Sequence, residues 1–189
     1  MKKNVFNKKG FTLIELLVGL IVIGLIAGLL IGIFGSPVQM ASIQKASTQI
    51  QDQLRSVQDG ASYYTTQKTT EITVLNDLTD ATKLNPTPLS IVPAAPAQAK
   101  DAAFVGTYAY TFVDADATYK IWGAAGTNDT VVTLPGITAE VCLRMDQDQG
   151  MLTSAQGVAD IPAAVQSNYK IFCWNNAGTY TVVALLYPH

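Results

Sequence analysis

From Phe11 to Phe34 the chain is apolar on nearly every helical face, and Glu15 is the only charge among these 24 residues. At 1.5 Å per residue such a helix covers about 36 Å, more than the roughly 30 Å of a bilayer's hydrocarbon core. After Pro37 the pattern changes. Ile43, Ala46, Ile50, Leu54, Val57, Ala61 and Tyr64 recur at spacings of 3 and 4, the single stripe of an amphipathic helix. Gln44, Lys45, Gln49, Asp52, Arg55 and Asp59 lie opposite it. The two stretches read as one long helix from about Phe11 to Tyr64. Gly35, Ser36 and Pro37 predict a kink or a short melted stretch near residues 32 to 37, because proline removes a helical hydrogen bond and crowds the preceding turn.

Beyond Tyr64 the chain becomes extended. Pro86, Pro88, Pro93 and Pro96 mark a polyproline-biased surface loop. Strands are expected at Phe104 to Val113, Thr118 to Trp122 and Thr130 to Leu134, with turns at Asp114 to Asp116 and Gly123 to Asp129. Alternation of Phe104, Tyr108, Tyr110 and Phe112 suggests a sheet laid on the helix stripe. Pro135 to Met145 is open to strand or helix, and the spacing favours a short helix carrying Cys142, with Pro135 and Thr138 near its start. Tyr169 to Trp174 and Tyr180 to Tyr187, separated by Asn175 to Gly178, read as a hairpin. The predicted class is α+β, a long N-terminal helix with a hydrophobic and an amphipathic half, packed on a C-terminal antiparallel sheet.

Charge orients this arrangement. Lys2, Lys3, Lys8 and Lys9 precede the apolar segment, so the positive-inside tendency keeps residues 1–10 cytoplasmic and sends the rest outward. An acid inside a membrane span costs about 2.5 to 3.5 kcal/mol near the centre and less near the end, which makes Glu15 a functional candidate. Without its first ten residues the chain has 8 basic and 14 acidic side chains, a net charge of −6. That balance argues against general binding of nucleic acid or anionic lipid. Cys142 and Cys173, 31 residues apart, read as one disulfide on the oxidising side of the membrane, two unpaired core thiols being the alternative. A bridge closing that loop contributes some 3 to 4 kcal/mol on the loop-entropy model.

A secretory signal peptide could be cut at Ala27 or Gly35, but the apolar stretch exceeds an h-region of about 7 to 15 residues, and a plain signal anchor gives no account of Glu15 or of Gly10 directly ahead of Phe11. The stretch Lys8 to Val18, KKGFTLIELLV, resembles the leader junction of type IV pilins and pseudopilins. The resemblance implies that prepilin peptidase cuts between Gly10 and Phe11 and methylates the new Phe11 terminus. It implies that Glu15 of one subunit neutralises the Phe11 amine of another during assembly. It also implies a pilin fold divided into a leader (1–10), a transmembrane and filament-core helix (11–34), an amphipathic helix (35–66), a proline-rich loop (67–103) and a sheet domain with a disulfide-closed C-terminal loop (104–189). Implied partners are copies of the chain itself, the peptidase, an inner-membrane assembly platform, and the membrane before assembly. The precursor would then sit in the inner membrane with its C-terminal domain outside, and the mature subunit in an extracellular pilus.

The subclass is less sharply drawn. A ten-residue leader looks like type IVa, whereas a cysteine-bearing C-terminal segment looks like type IVb, and Gly32 stands where type IVa pilins often carry a helix proline. The disulfide is a feature of pilins that major pseudopilins of type II secretion usually lack. Gly19, Gly24, Gly28 and Gly32 would permit close helix packing, and are equally ordinary in membrane helices.

No catalytic constellation is present in the sequence: the lone histidine is His189, and there is no phosphate loop. Asp146, Asp148 and Gly150 in MDQDQG begin like a calcium loop, but its twelfth position is Gly157 instead of glutamate. A solvated acidic turn is the competing reading. Asp114, Asp116 and Asp129 are further candidates on the pseudopilin reading. The expected function is a filament subunit that uses no cofactor, not an enzyme. The alternatives are a type II secretion pseudopilin and a membrane-anchored binding domain that never polymerises.

Overall fold

A computed structural model describes residues 13–34, 37–113, 129–163 and 169–187. Gly10, Phe11, Asp114, Asp116, His189 and the expected strand Thr118 to Trp122 lie outside these residues. The chain forms two units that divide after Ala41.

The first unit contains helix α1, Leu13–Phe34. It carries no polar stripe, as expected of a sequence in which leucine, isoleucine, valine and glycine alternate without helical period. No atom beyond the helix itself lies within 4 Å of where a side chain at Gly19, Gly24 or Gly28 would begin.

Most of helix α2, Pro37–Lys68, belongs to the second unit. Its stripe is the one read from the sequence: Ala46, Ile50, Leu54, Val57, Ala61 and Tyr64 are buried, and Ile43 is partly so. Four antiparallel strands follow in the spatial order β1-β2-β4-β3: β1 Thr111–Val113, β2 Thr130–Ile137, β3 Ile171–Asn176 and β4 Thr179–Tyr187. Helix α3, Ala139–Asp148, leaves the end of β2 and packs on β3 and β4. The arrangement is α+β, an N-terminal helix and a four-stranded antiparallel sheet with helices, consistent with the pilin fold.

The sheet is covered on both faces. Val132, Leu134, Cys173, Val182 and Ala184 join the α2 stripe and α3 in the main core. The alternate positions Val131, Phe172, Trp174, Val183 and Leu185 form a second buried cluster with Val113, Met151 and Tyr169. Successive strand residues point to opposite faces, so the unbroken apolar runs IFCW and VVALL require burial on both sides.

Three local expectations change. The strand expected from Phe104 shrinks to Thr111–Val113. Upstream, Lys100 pairs with Ile137 as an isolated bridge, and the Phe104 ring packs over Gly106 and Gly136 instead of joining the ladder. The hydroxyls of Tyr108 and Tyr110 donate to the Pro96 carbonyl at 3.1 Å and to Gln53 of α2 at 2.6 Å, which ties this stretch to the proline-rich loop and α2. Pro135 lies inside β2, not at the start of α3. It is paired with Thr181 of β4 beyond the point where β1 stops pairing at Thr133, so the strand has one neighbour there and the absent N–H is tolerated. Thr138 caps α3, its hydroxyl accepting the Val141 N–H at 3.4 Å. The hairpin between β3 and β4 is tighter than four residues: Ala177 and Gly178 both have positive φ, the signature of a two-residue type I′ turn.

Candidate functional site

The chemistry singled out in the sequence falls in two places, the start of α1 and the junction of α3 with β3. Glu15 lies in the first turn of α1, where the helix dipole favours an anion, and its side chain is exposed. Apolar side chains surround it without a polar side to the helix: Leu13 is 84% exposed and Leu25 64%. An exposed apolar surface of that extent marks a site that a membrane or another protein covers. Among the residues whose side chains are described, no helix is long and apolar enough to cross a membrane. The described side chains of α1 run unbroken only from Leu13 to Ile26. The backbone helix itself is 22 residues long, about 33 Å at 1.5 Å per residue.

At the second place, Cys142 of α3 and Cys173 of β3 form the disulfide, with Cα atoms 5.4 Å apart and both residues fully buried. One helical turn past Cys142 stands Asp146, also fully buried. Its Oδ1 accepts the Cys173 backbone N–H at 2.8 Å, and its backbone carbonyl accepts the N–H groups of Met151 and Leu152. Oδ2 is buried without a hydrogen-bond partner. Burial pushes the Asp146 carboxyl up to about 7, and the Cys173 N–H offsets only part of that rise.

Asp148, two residues on, performs a separate task. It ion-pairs with Arg144 across 2.9 Å and accepts the Ser47 hydroxyl of α2 at 3.1 Å. Gln51 donates to Ser47 at 3.2 Å and accepts from Gln149 at 2.9 Å, completing a polar ladder that fastens the end of α3 to α2. The calcium-loop reading of Asp146 and Asp148 is therefore corrected: MDQDQG is the last turn of a helix and its exit, one acid is spent inside the core and the other on α2. The solvated-turn reading fails for Asp146, which is buried, whereas Asp148 and Gly150 are exposed. Asp129, at the start of the sheet, is buried. Among the described residues no group of three potential metal ligands gathers.

Sequence reasoning missed the role of Asp146, although a signal was present. Val141, Cys142 and Met145 form the buried stripe of α3, and position 146, four after Cys142, falls on that stripe. A third buried acid, Asp77, anchors the start of the proline-rich region. It accepts from the Thr73 N–H and hydroxyl at 3.0 and 3.1 Å and from the Lys83 ammonium at 2.6 Å. Burial alone would raise its pKa, but Lys83 and the two Thr73 donors outweigh that and hold it below the usual carboxylate value.

Comparison with known proteins matches one family model, the prokaryotic N-terminal methylation motif, at residues 5–31. This is the type IV prepilin-like signature, and it spans Gly10, Phe11, Glu15 and most of α1. No curated protein and no solved structure matches the chain.

Proposed function

We propose that the chain is the precursor of a type IV pilus subunit, polymerised through its N-terminal helix. The methylation motif supports the broader statement, a type IV pilin-like or pseudopilin precursor processed by prepilin peptidase and assembled into pilus-like filaments. The observation that carries the finer reading is that this motif runs from the lysine-rich leader into a helix apolar on all sides, with Glu15 in its first turn.

Cutting between Gly10 and Phe11 removes four lysines and leaves the greasy helix as the mature N-terminus. The leader goes and the anchor stays. The new α-amine is a cation in a medium with few hydrogen-bond partners, and methylation at Phe11 retains its charge. Within one helix the Glu15 side chain projects sideways, a turn from the terminus. Between staggered subunits each charge neutralises the other, so an incoming helix is held in register. Before assembly residues 11–34 span the membrane with the second unit outside, and afterwards they form the filament core. The proposed division continues with an amphipathic segment at 35–66, which takes in most of α2, a loop region at 67–103 and a sheet domain at 104–189. The chain acts as structure, not as an enzyme, and its assembled surface serves adhesion, motility or DNA uptake.

The buried disulfide favours a pilus over the short filament of type II secretion, because it braces a domain that remains outside the cell. Mass spectrometry of sheared surface filaments tests the proposal: abundant protein beginning at methylated Phe11 is expected, and an intact leader or absence from filaments refutes it. For Glu15→Ala, insertion and cleavage proceed normally while filament yield falls at least tenfold. Normal assembly of that variant refutes the role given to the carboxylate.

A further inference from the structure

The disulfide lies inside the core, and a carboxyl group lies beside it. Cys142 and Asp146 are four residues apart on α3, so their side chains leave the helix on the same face. Asp146 Oδ1 accepts the Cys173 N–H at 2.8 Å, which sets the same carboxyl against the second half-cystine. The bonded oxygen has a plain structural role. Its neighbour Oδ2, buried with no hydrogen-bond partner, has none, and leaving such a group unsatisfied is costly.

We propose that Asp146 is the proton acceptor for closure of the Cys142–Cys173 bond, its Oδ2 taking the thiol proton once α3 has docked on β3. An oxidising disulfide, RS–SR, from a small molecule or a dithiol protein, first captures one cysteine as a mixed disulfide and releases RSH. The Asp146 carboxylate then removes the proton of the remaining thiol. That thiolate attacks the sulfur of its partner cysteine, the bond to R breaks, and RS⁻ leaves with the electron pair and takes a proton from solvent. The two cysteines lose two electrons, RS–SR becomes two thiols, and the proton of the second thiol stays on Asp146.

The chemistry calls for such a group. Only the thiolate is the nucleophile, and a thiol of ordinary pKa near 8.5 is roughly 1% ionised at pH 6.5, less when buried among apolar groups. Burial moves the Asp146 carboxyl up to about 7, which narrows the gap between acceptor and donor and suits general base catalysis near neutrality. Among the described residues, the elements packed on α3 bring no cation against it. β3 and β4 hold no charged residue, Tyr180 and Tyr187 being the titratable groups of β4. The 3₁₀ turn Val158–Asp160 brings only Asp160. The contacts from α2 are the neutral Ser47 and Gln51, and on α3 itself Arg144 pairs with Asp148.

The test uses the full chain in nonionic detergent, reduced and then exposed to glutathione disulfide between pH 6 and 9.5. Alkylation quenching and mass spectrometry follow conversion of the mixed disulfide to the internal bond. For the natural chain the closing rate is expected to level off near pH 7. Asp146→Asn keeps an oxygen for the Cys173 N–H but accepts no proton. It should close about tenfold more slowly at pH 6.5, then rise with pH and meet the natural rate near pH 9. Superimposable pH profiles overturn the proposal, as does a slowing by one constant factor at every pH, which marks a purely structural effect. If Asp146→Asn does not fold, the natural chain decides alone: a rate still climbing tenfold per pH unit through pH 8 shows an unassisted thiol and overturns it.

Discussion

Replacing Asp146 by asparagine should change how stability depends on pH more than stability at any one pH. In the unfolded chain the carboxyl titrates near 3.9, as in model peptides. In the folded protein burial lifts it to about 7. Below about pH 4 the group is protonated in both states and its contribution to stability is complete. Between pH 4 and 7 the unfolded chain gives up the proton while the folded protein keeps it, so stability falls as pH rises. Above pH 7 both states are ionised and the slope ends. Across that interval of about three pH units, a slope of about 1.36 kcal/mol per pH unit makes the total on the order of 4 kcal/mol. Asparagine neither titrates nor surrenders the acceptor for the Cys173 N–H, so the variant loses this slope. Asp77 has the opposite sign: its carboxyl is held low, so its contribution is complete above the unfolded value and disappears as the solution is acidified below about pH 4. Both proteins share that loss, and it cancels in their difference. The assay is urea unfolding of the full chain in nonionic detergent with the disulfide intact, read by tryptophan fluorescence from pH 4 to 8. The natural chain is expected to lose on the order of 4 kcal/mol relative to Asp146→Asn across that range. Parallel curves would falsify the assignment of a protonated, desolvated carboxyl in the core.

Two contrasts test the packing around it. Gly136→Ala puts a Cβ into the Phe104 ring at a backbone φ of +72°, whereas Gly178→Ala at φ +93° meets open space. Thermal or urea unfolding should show about 1 kcal/mol lost at Gly178 and clearly more at Gly136, and equal losses mean that Phe104 does not pack there. Leu54→Ala empties the middle of the α2 stripe, where Leu54 is fully buried, and should cost about 2 to 5 kcal/mol. A cost under about 1 kcal/mol places the α2 stripe outside the cooperative core.

Much of the fold is legible in the chain because its strongest signals are periodic and local. The stripe from Ile43 to Tyr64 repeats the geometry of a helix, and six of its seven members are buried in the second unit. Thr138 declares the start of α3, and Asn175 to Gly178 declares a reversal. The stretch from Phe104 to Tyr110 misleads for a physical reason. Alternating aromatics satisfy a strand pattern, yet whether they enter a ladder depends on what lies opposite, and here Gly136, Pro96 and Gln53 take the ring and the two hydroxyls. Asp146 misleads in the same way. Read along the chain it stands in an acidic cluster; on the helix it shares a face with Cys142.

The N-terminal motif belongs to the linear chain: the lysines, the Gly10–Phe11 junction and Glu15 as the one charge of the apolar segment are matters of order and spacing, legible without a folded domain. The sequence also limits an internal disulfide to Cys142 and Cys173, since only two cysteines are present, and the packing of α3 on β3 brings the two together. What tertiary contact alone decided is the work of the acids. A carboxyl group becomes a metal ligand, a salt bridge or a buried proton store according to its burial and its neighbours, and these are set by residues distant in sequence. Asp148 meets Ser47 across 101 positions and Asp146 meets Cys173 across 27. Neither contact has a local signature, because each exists only after α3 has docked on the sheet and its end has met α2.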